Sequence, residues 1–554
     1  MFGLGVTAFL LCAQVIIQNV HITTTNGLWK SMDVVKWINN PSLTLIDPSN
    51  VLLYPIYSSG AKLLNAIGVF RRLPWRQMAI INAVFAGFTA TMAFAFVSAW
   101  VRDTKTAFLA ATAYTLSGYV LVHGLINEDV MPSFTVIFAS TLLACIWFAR
   151  PTAWRIVVVA LIFATGWLIE WRMMFPSLPP FLMALFLAQG TIAQRFWRPA
   201  LFLGAMAVPP AIVALLTLSF NTPKQAFDLF LTLFWTGKGV GTGWGGYSLN
   251  KLWLEWSGAA EAIFGGRHIQ SPNWYADYSL NGIIAGTVLM LALAAVSLHY
   301  LWRNRADQTV RAAAIVVGGN AFCGVIFNLY SQPQDPQMQI NVMIWALFGW
   351  ALLIGYLISP ARFGLLSPIP RVLGYALAII LLLTPSAYAL KNAYQTRGQD
   401  AEAVKVMKAI ETKFDFSRTV FLYHDFEALI TWQSTRYGLR QYLDIKTLPP
   451  APDMTFKWIG LVFDSIASPQ WTGAQHATKI SEDIDTALSK GYRVISPLFW
   501  SQTEETWVTS YSTVVSRPEK TRELYTILHR TFEGVEVWID PRGAAWYEIT
   551  RRKS

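Results

Sequence analysis

Residues 28–50 read LWKSMDVVKWINNPSLTLIDPSN. The stretch is polar and Trp-bearing, and it holds Asp33 and Asp47 directly behind the first apolar run of the chain, residues 2–20. The surrounding 554 residues are 54% hydrophobic and only 14% charged, with a mean hydropathy of +0.40. Soluble domains carry roughly 25% charged residues. The chain therefore reads as an integral membrane protein, and the question it poses is why carboxylates stand so close to the point where it leaves the bilayer.

An apolar run of about 17–25 residues crosses a hydrocarbon core of roughly 30 Å as a helix. On that basis about eleven runs qualify: 2–20, 78–101, 107–123, 132–149, 156–174, 179–194, 200–219, 280–301, 312–330, 340–358 and 372–390. The first run lacks a basic leader and a small-x-small cleavage site, so it reads as a retained helix. The basic residues behind the net charge of +11 are scattered between these runs. That pattern sets topology and gives no stripe for a nucleic acid. Loops bearing Arg102 and Lys105, Arg150 and Arg155, Arg195 and Arg198, Arg303 and Arg305, and Arg362 and Arg371 alternate and read as cytoplasmic. The loops 21–77 and 221–278, the turns near 127–132 and 331–339, and all residues past 390 then lie on the extracytoplasmic side of an inner or plasma membrane. To keep this parity, residues 51–68 read as a helix lying in the outer interface. Cys12, Cys145 and Cys323 all fall in apolar runs and read as small core residues.

From residue 395 the text changes to short apolar strands at 419–424, 458–464, 492–500 and 535–540, alternating with helical patterns at 401–414, 478–490 and 518–531. Such alternation predicts a soluble extracytoplasmic α/β domain, 395–554, with a mostly parallel sheet. It carries no GxGxxG or GxxxxGK[ST], so nothing licenses a nucleotide site.

Ionisable groups at membrane depth are expensive and so become functional candidates. Asp33 in the first outer loop and Glu128 and Asp129 in the next (INEDVMP) belong to consecutive outer connections, where three carboxylates in one cleft would suit a general base or a Mg²⁺ or Mn²⁺ site held by Glu128 and Asp129. An isolated loop aspartate equally serves as a helix cap. Arg172, in EWRMMFPSLPPFL, stands at an outer helix end and is also placed to snorkel. The 221–278 loop is rich in glycine and tryptophan and reads as a loop able to order over a ligand, or as an interfacial aromatic belt. Lys238, Arg267 and His268 within it, and Lys62 before it, suit a phosphate. The turn YSQPQDPQMQIN offers Asp335 and Gln337 to sugar hydroxyls.

An acid soon after the first helix, an acidic turn before a helix that starts at a proline, and a basic residue before a proline-rich helix start, in that order, resemble the GT-C glycosyltransferases, the superfamily of protein O-mannosyltransferases and lipid A aminoarabinose transferases. The likeness covers about the first 200 residues. It maps the family's first acid onto Asp33, where many relatives carry Asp-Glu and this chain has Asp33-Val34, its second onto Glu128 or Asp129, and its basic residue onto Arg172. The resemblance implies a polyprenyl-phosphate-linked sugar as donor, a lipid, polysaccharide or protein as acceptor, and a polytopic helical domain, 1–394, with its active site at the membrane's outer edge. Asp33 would then deprotonate an acceptor hydroxyl, with inversion at the anomeric carbon. A transporter or flippase of lipid-linked saccharides would instead place its charges near mid-bilayer in a repeated half. A non-catalytic assembly protein gives no reason for acids in two consecutive outer loops, and a glycoside hydrolase needs two carboxyls at a fixed separation.

Overall fold

The computed structural model describes residues 2–17, 30, 34, 37–38, 51–70, 74–116, 118–125, 130–170, 175–220, 222–225, 247, 249–262, 280–330, 336–358, 371–380, 409–410, 412–415, 418–423, 457–460, 471–497, 499–508, 518–541 and 543–552. The chain divides between Arg397 and Gly398 into two compact units, one holding the described helices up to residue 380 and the other every described residue from 409 onward.

The first unit is helical. Its elements are α1 (Phe2–Ile17), α2 (Leu53–Ala66), α3 (Pro74–Val101), α4 (Thr104–Thr115), α5 (Gly118–Leu125), α6 (Val130–Trp147), α7 (Ala153–Ile169), α8 (Leu178–Leu187), α9 (Ile192–Phe220), α10 (Leu249–Ala262), α11 (Leu280–Arg303), α12 (Gln308–Ala313), α13 (Gly319–Tyr330), α14 (Pro336–Ile358) and α15 (Arg371–Ile380). A π-helical turn, Ala314–Gly318, joins α12 to α13. Six helices among the described residues are long and apolar enough to cross a membrane, with cores at Trp75–Val101, Val130–Trp147, Ile192–Leu216, Ile283–Arg303, Gln308–Tyr330 and Gln339–Ile358. α7, α8, α15 and residues 3–14 of α1 are shorter apolar helices. The protein is a membrane protein on this ground. Its core is aromatic where α4, α6 and α14 meet, with Phe138 edge-on to Phe348 at 4.9 Å and Tyr114 stacked on Phe138 at 5.6 Å.

The helix boundaries correct the sequence reading at four places. The run 107–123 is not one span: α4 begins at Asp103, whose carboxylate accepts from the backbone N–H of Lys105 and Thr106, and it ends at Leu116 before α5 starts at Gly118. The run 179–194 is also shorter, because α8 is ten residues long. Ten residues rise only about 15 Å, half the core thickness. α9 then opens at 192 rather than 200, since Thr191 and Gln194 cap each other reciprocally and Gly190 turns the chain at φ 150°. Residues 53–66, by contrast, agree with the reading that they do not span: they form a helix of 14 residues, about 21 Å long. Gln77 fixes the turn that follows it, donating to Asn65 Oδ1 at 2.8 Å and to the Phe70 carbonyl at 3.1 Å. Finally, the segment 221–278 contains α10, which packs against α11, α13 and α14 of the bundle.

The second unit contains β1 (Thr419–Tyr423), β2 (Lys457–Gly460), α16 (Gly473–Ser489), β3 (Arg493–Pro497), α17 (Pro518–Thr531), β4 (Phe532–Ile539) and β5 (Ala545–Arg551). The five strands form one sheet in the order β2-β1-β3-β5-β4. β2-β1 and β1-β3 are parallel, whereas β3-β5 and β5-β4 are antiparallel, so the sheet is mixed rather than mostly parallel. The reason is β5, which the sequence reading omits. It returns from β4 through a tight turn in which Asp540 Oδ1 accepts from the Ala544 N–H at 3.0 Å, and a hairpin forces antiparallel pairing. α16 begins at Gly473, five residues before the apolar pattern suggests, because its cap Thr472 forms a capping box with Gln475. Of the pattern 401–414, only 409–410 and 412–414 lie within the described residues.

Candidate active site

Asp33, Glu128, Asp129, Arg172, Lys238, Arg267, His268 and Asp335 lie outside the described residues. Gln337 sits in the first turn of α14, described by its backbone alone, and Lys62 is exposed on α2. The described residues that flank these positions pack against one another.

Val34, the residue after Asp33, is fully buried. It belongs to a cluster with Leu53, Tyr54 and Tyr57 of α2, Met78 and Ile81 of α3, Leu168 and Ile169 at the end of α7, and Val213 of α9. The cluster is stitched by polar bonds. The Leu52 N–H donates to the Leu168 carbonyl at 2.9 Å, and the buried Tyr57 hydroxyl donates to Asn82 Oδ1 at 2.6 Å. α7 stops at Glu170, which turns to extended backbone (φ −158°, ψ 102°) and is 1% exposed. The Ser133 hydroxyl, in the first turn of α6, reaches the carbonyls of Gly166 and Glu170 at 3.3 and 3.4 Å. The described neighbours of Asp33, of the 128–129 pair and of Arg172 therefore meet at one end of α6 and α7. Lys30, three residues before Asp33, is also buried. Lys30 and Glu170 are ionisable groups that sequence reading did not select as site residues. Their only signal was the polar text at the mouth of an apolar bundle.

A second polar site lies on α10. Glu255 is 5% exposed, and its carboxylate accepts from Gln339 Nε2 at 2.8 Å and from Asn328 Nδ2 at 3.5 Å. Burial pushes its pKa up to about 8, against the lowering effect of the two amides. One turn earlier, Lys251 donates to the Tyr330 carbonyl at 3.1 Å, and burial pulls its pKa down to about 8. The opposite face of α10 is apolar and outward: Leu252, Trp253 and Trp256 are exposed, and Trp256 Nε1 donates to Thr287 Oγ1 at 3.0 Å. The order K-L-W-L-E-W held this signal, because charges four apart share a helix face that the aromatics leave free. Among the described residues, no three His, Cys, Asp or Glu side chains converge in a metal-binding group.

No protein-family model matches the sequence, and no curated protein matches it. Solved structures do. ArnT from Cupriavidus metallidurans in the apo state superposes with a TM-score of 0.51 at 13% identity, covering 98% of this chain and 97% of that one. The crystal structure of the same protein bound to undecaprenyl phosphate gives a TM-score of 0.50 at 14% identity over the same shares. The chain shares the fold of these structures. The superposition runs nearly end to end, so the likeness that the sequence supports over its first 200 residues extends to both units.

Proposed function

We propose that the protein is an integral membrane glycosyltransferase that moves a sugar from a polyprenyl-phosphate-linked donor to an acceptor hydroxyl at the outer face of the membrane. The observation that supports this best is the end-to-end fold match to a protein solved with undecaprenyl phosphate bound, in a chain that carries its acids and arginine in the order Asp33, Glu128–Asp129, Arg172.

In this reading Asp33 accepts the proton of the acceptor hydroxyl as that oxygen forms its bond to the anomeric carbon. The anomeric C–O bond to phosphate breaks on the opposite side, its electron pair leaves with the polyprenyl phosphate, and the configuration inverts. The leaving group is already a stable anion and needs no proton. What it needs is compensation for the charge it gains, which Lys62, Arg172, Lys238, Arg267 and His268 supply. Glu128 and Asp129 orient the acceptor or hold Mg²⁺ or Mn²⁺, and Asp335 and Gln337 bond sugar hydroxyls. The buried contacts around Val34 and Glu170 would give the first and third of these stretches a fixed base.

The test is transfer by the purified protein from a panel of polyprenyl-phosphate sugars. Removing a general base costs about 10²–10⁴ in rate, so Asp33→Ala is expected to lose that much turnover while donor binding persists. Transfer by Asp33→Ala at the wild-type rate would sink the assignment, and the same assay with EDTA reads the metal question directly.

A further inference from the structure

The last three turns of the Gln308–Tyr330 span bury only asparagine and glycine, which needs an explanation. The buried residues of α13 are Asn320, Gly324 and Asn328, while Phe322 and Ile326 face outward. At Gly324 the backbones of α13 and α14 touch, so a Cβ there would collide with the Asn341 carbonyl. This contact closes the seam between the two helices. On the Tyr330 side of it α10 enters, bringing Glu255 onto Asn328 and Gln339. Lys251 lies one turn further out, on the Tyr330 carbonyl, and the rings of Tyr330 and the exposed Tyr247 meet edge to face at 5.6 Å.

The hydrogen bonding of this junction is incomplete. Asn328 is fully buried, yet its side-chain oxygen has no partner among the described residues. The Asn328 amide already gives one N–H to Glu255, so its idle oxygen belongs to the same cluster. The bond it makes is long, at 3.5 Å. Buried amide oxygens are rarely left idle, because desolvating them without a partner is costly. The missing group is a donor, and the carboxyl beside it can accept as well. Burial holds Glu255 near pKa 8, so at neutral pH it is mostly uncharged and both donates and accepts. A set of two amides and a neutral acid, with a tyrosine pair alongside, matches a ligand that alternates hydroxyl donors and acceptors on a small apolar ring. It is a poor match for a metal ion, which would call for an ionised carboxylate.

We propose that Glu255, Asn328 and Gln339 form a hydroxyl-binding subsite for a saccharide, with Lys251 at its rim. It rests on the transferase reading and deepens it: in that setting the saccharide is the sugar of the lipid-linked donor.

The experiment measures binding of undecaprenyl phosphate and of undecaprenyl-phosphate-linked hexose, pentose and aminosugar to the full-length protein in nanodiscs. At least one sugar-bearing lipid is expected to bind ten-fold or more tighter than the bare lipid. Asn328→Leu and Glu255→Leu are each expected to erase that preference while leaving the bare lipid's affinity unchanged. Glu255→Gln, which keeps a neutral donor and acceptor, is expected to stay within threefold of wild type. If Asn328→Leu does not fold, the Glu255 pair reads the same contrast. Wild-type protein that binds every lipid equally, or variants that weaken bare and sugar-bearing lipid alike, would overturn the subsite. Sugar-selective binding without any transfer supports the subsite and overturns the transferase reading alone. Transfer that continues in Glu255→Leu and Asn328→Leu with sugar preference intact overturns the subsite alone.

Discussion

α10 and α16 are helices of similar length with opposite polarity. α16 buries Ala477, Ile480, Ile484 and Ala487 against the sheet and turns Lys479 and Glu482 outward, as a helix in water does. α10 buries Lys251, Glu255 and Ser257 and turns Leu252, Trp253 and Trp256 outward. The difference teaches which solvent each helix was built for. Around α16 the driving force is withdrawal of apolar surface from water. An apolar outward face suits lipid or its interface, which leaves the inward face of α10 to carry ionisable groups where amides and a backbone carbonyl receive them.

The most direct way to break the comparison is to give α16 an inward acid of its own. Ile484 is fully buried in the core formed by Val420, Leu422, Val494 and Leu528. The described residues of that core are apolar and offer no amide to a carboxylate, so Ile484→Asp is expected to cost about 3–5 kcal/mol, a large share of a domain's usual 5–15. Limited proteolysis of the full chain should show cleavage within 398–554 while the helical unit stays protected. Glu482→Leu on the outward face of the same helix should change stability by under about 0.5 kcal/mol. An Ile484→Asp protein as resistant as wild type would mean that this core is wetter than its packing implies.

The acid that α10 does carry sharpens the contrast through pH. The folded-state pKa of Glu255 is raised to about 8 from 4.5, so between these values the unfolded chain has released the proton and the folded one still holds it. Stability therefore falls as pH rises from about 4.5 to 8 and levels off above. Lys251 works in the next window: its folded pKa is lowered to about 8 from 10.5, so stability rises with pH between those values. Glu255→Gln should abolish the falling limb and leave the rising one. Thermal unfolding of wild type and variant from pH 5 to 10 reads both, and a difference curve flat across pH 4.5–8 would show that Glu255 ionises freely in the fold.

The same polarity contrast governs what could be read from sequence. The long apolar spans were legible because an uninterrupted hydrophobic run of that length has few other uses. The helix ends were not, since Asp103 and the Thr191–Gln194 pair are single polar letters whose capping role depends on local backbone geometry. β5 was missed because AWYEITR interleaves charge with apolar residues on a strand that is only partly buried, which weakens the alternation. For the site, acids next to spans were legible as expensive groups, and of their surroundings the structure describes the neighbours Val34, Ser133 and Glu170. Glu255 was hidden by its tryptophans: aromatics draw the eye to the outward face, whereas the chemistry lies on the inward one. No local pattern announces Asn328 and Gln339 as its partners, because they stand 73 and 84 residues away.

The smallest expected effect concerns the acid of the second unit that is paired rather than buried. Arg493 grips Glu548 across β3 and β5 with two bonds, Nε at 2.9 Å and Nη2 at 2.7 Å. The guanidinium bonds hold the Glu548 pKa below its ordinary value. Its linkage is thus opposite in sign to that of Glu255: the contribution is present above the unfolded pKa near 4.5 and is lost as pH falls through the folded one. Both side chains remain partly exposed, at 45% and 30%, so solvent screens the pair and Glu548→Gln is expected to cost no more than about 1 kcal/mol at pH 7. The variant should lose less than wild type on acidification below pH 4.5, and added salt should shrink the gap further. A cost of several kcal/mol, insensitive to salt, would mean that this part of the sheet is shielded from water, and that the second unit treats its charges as α10 does.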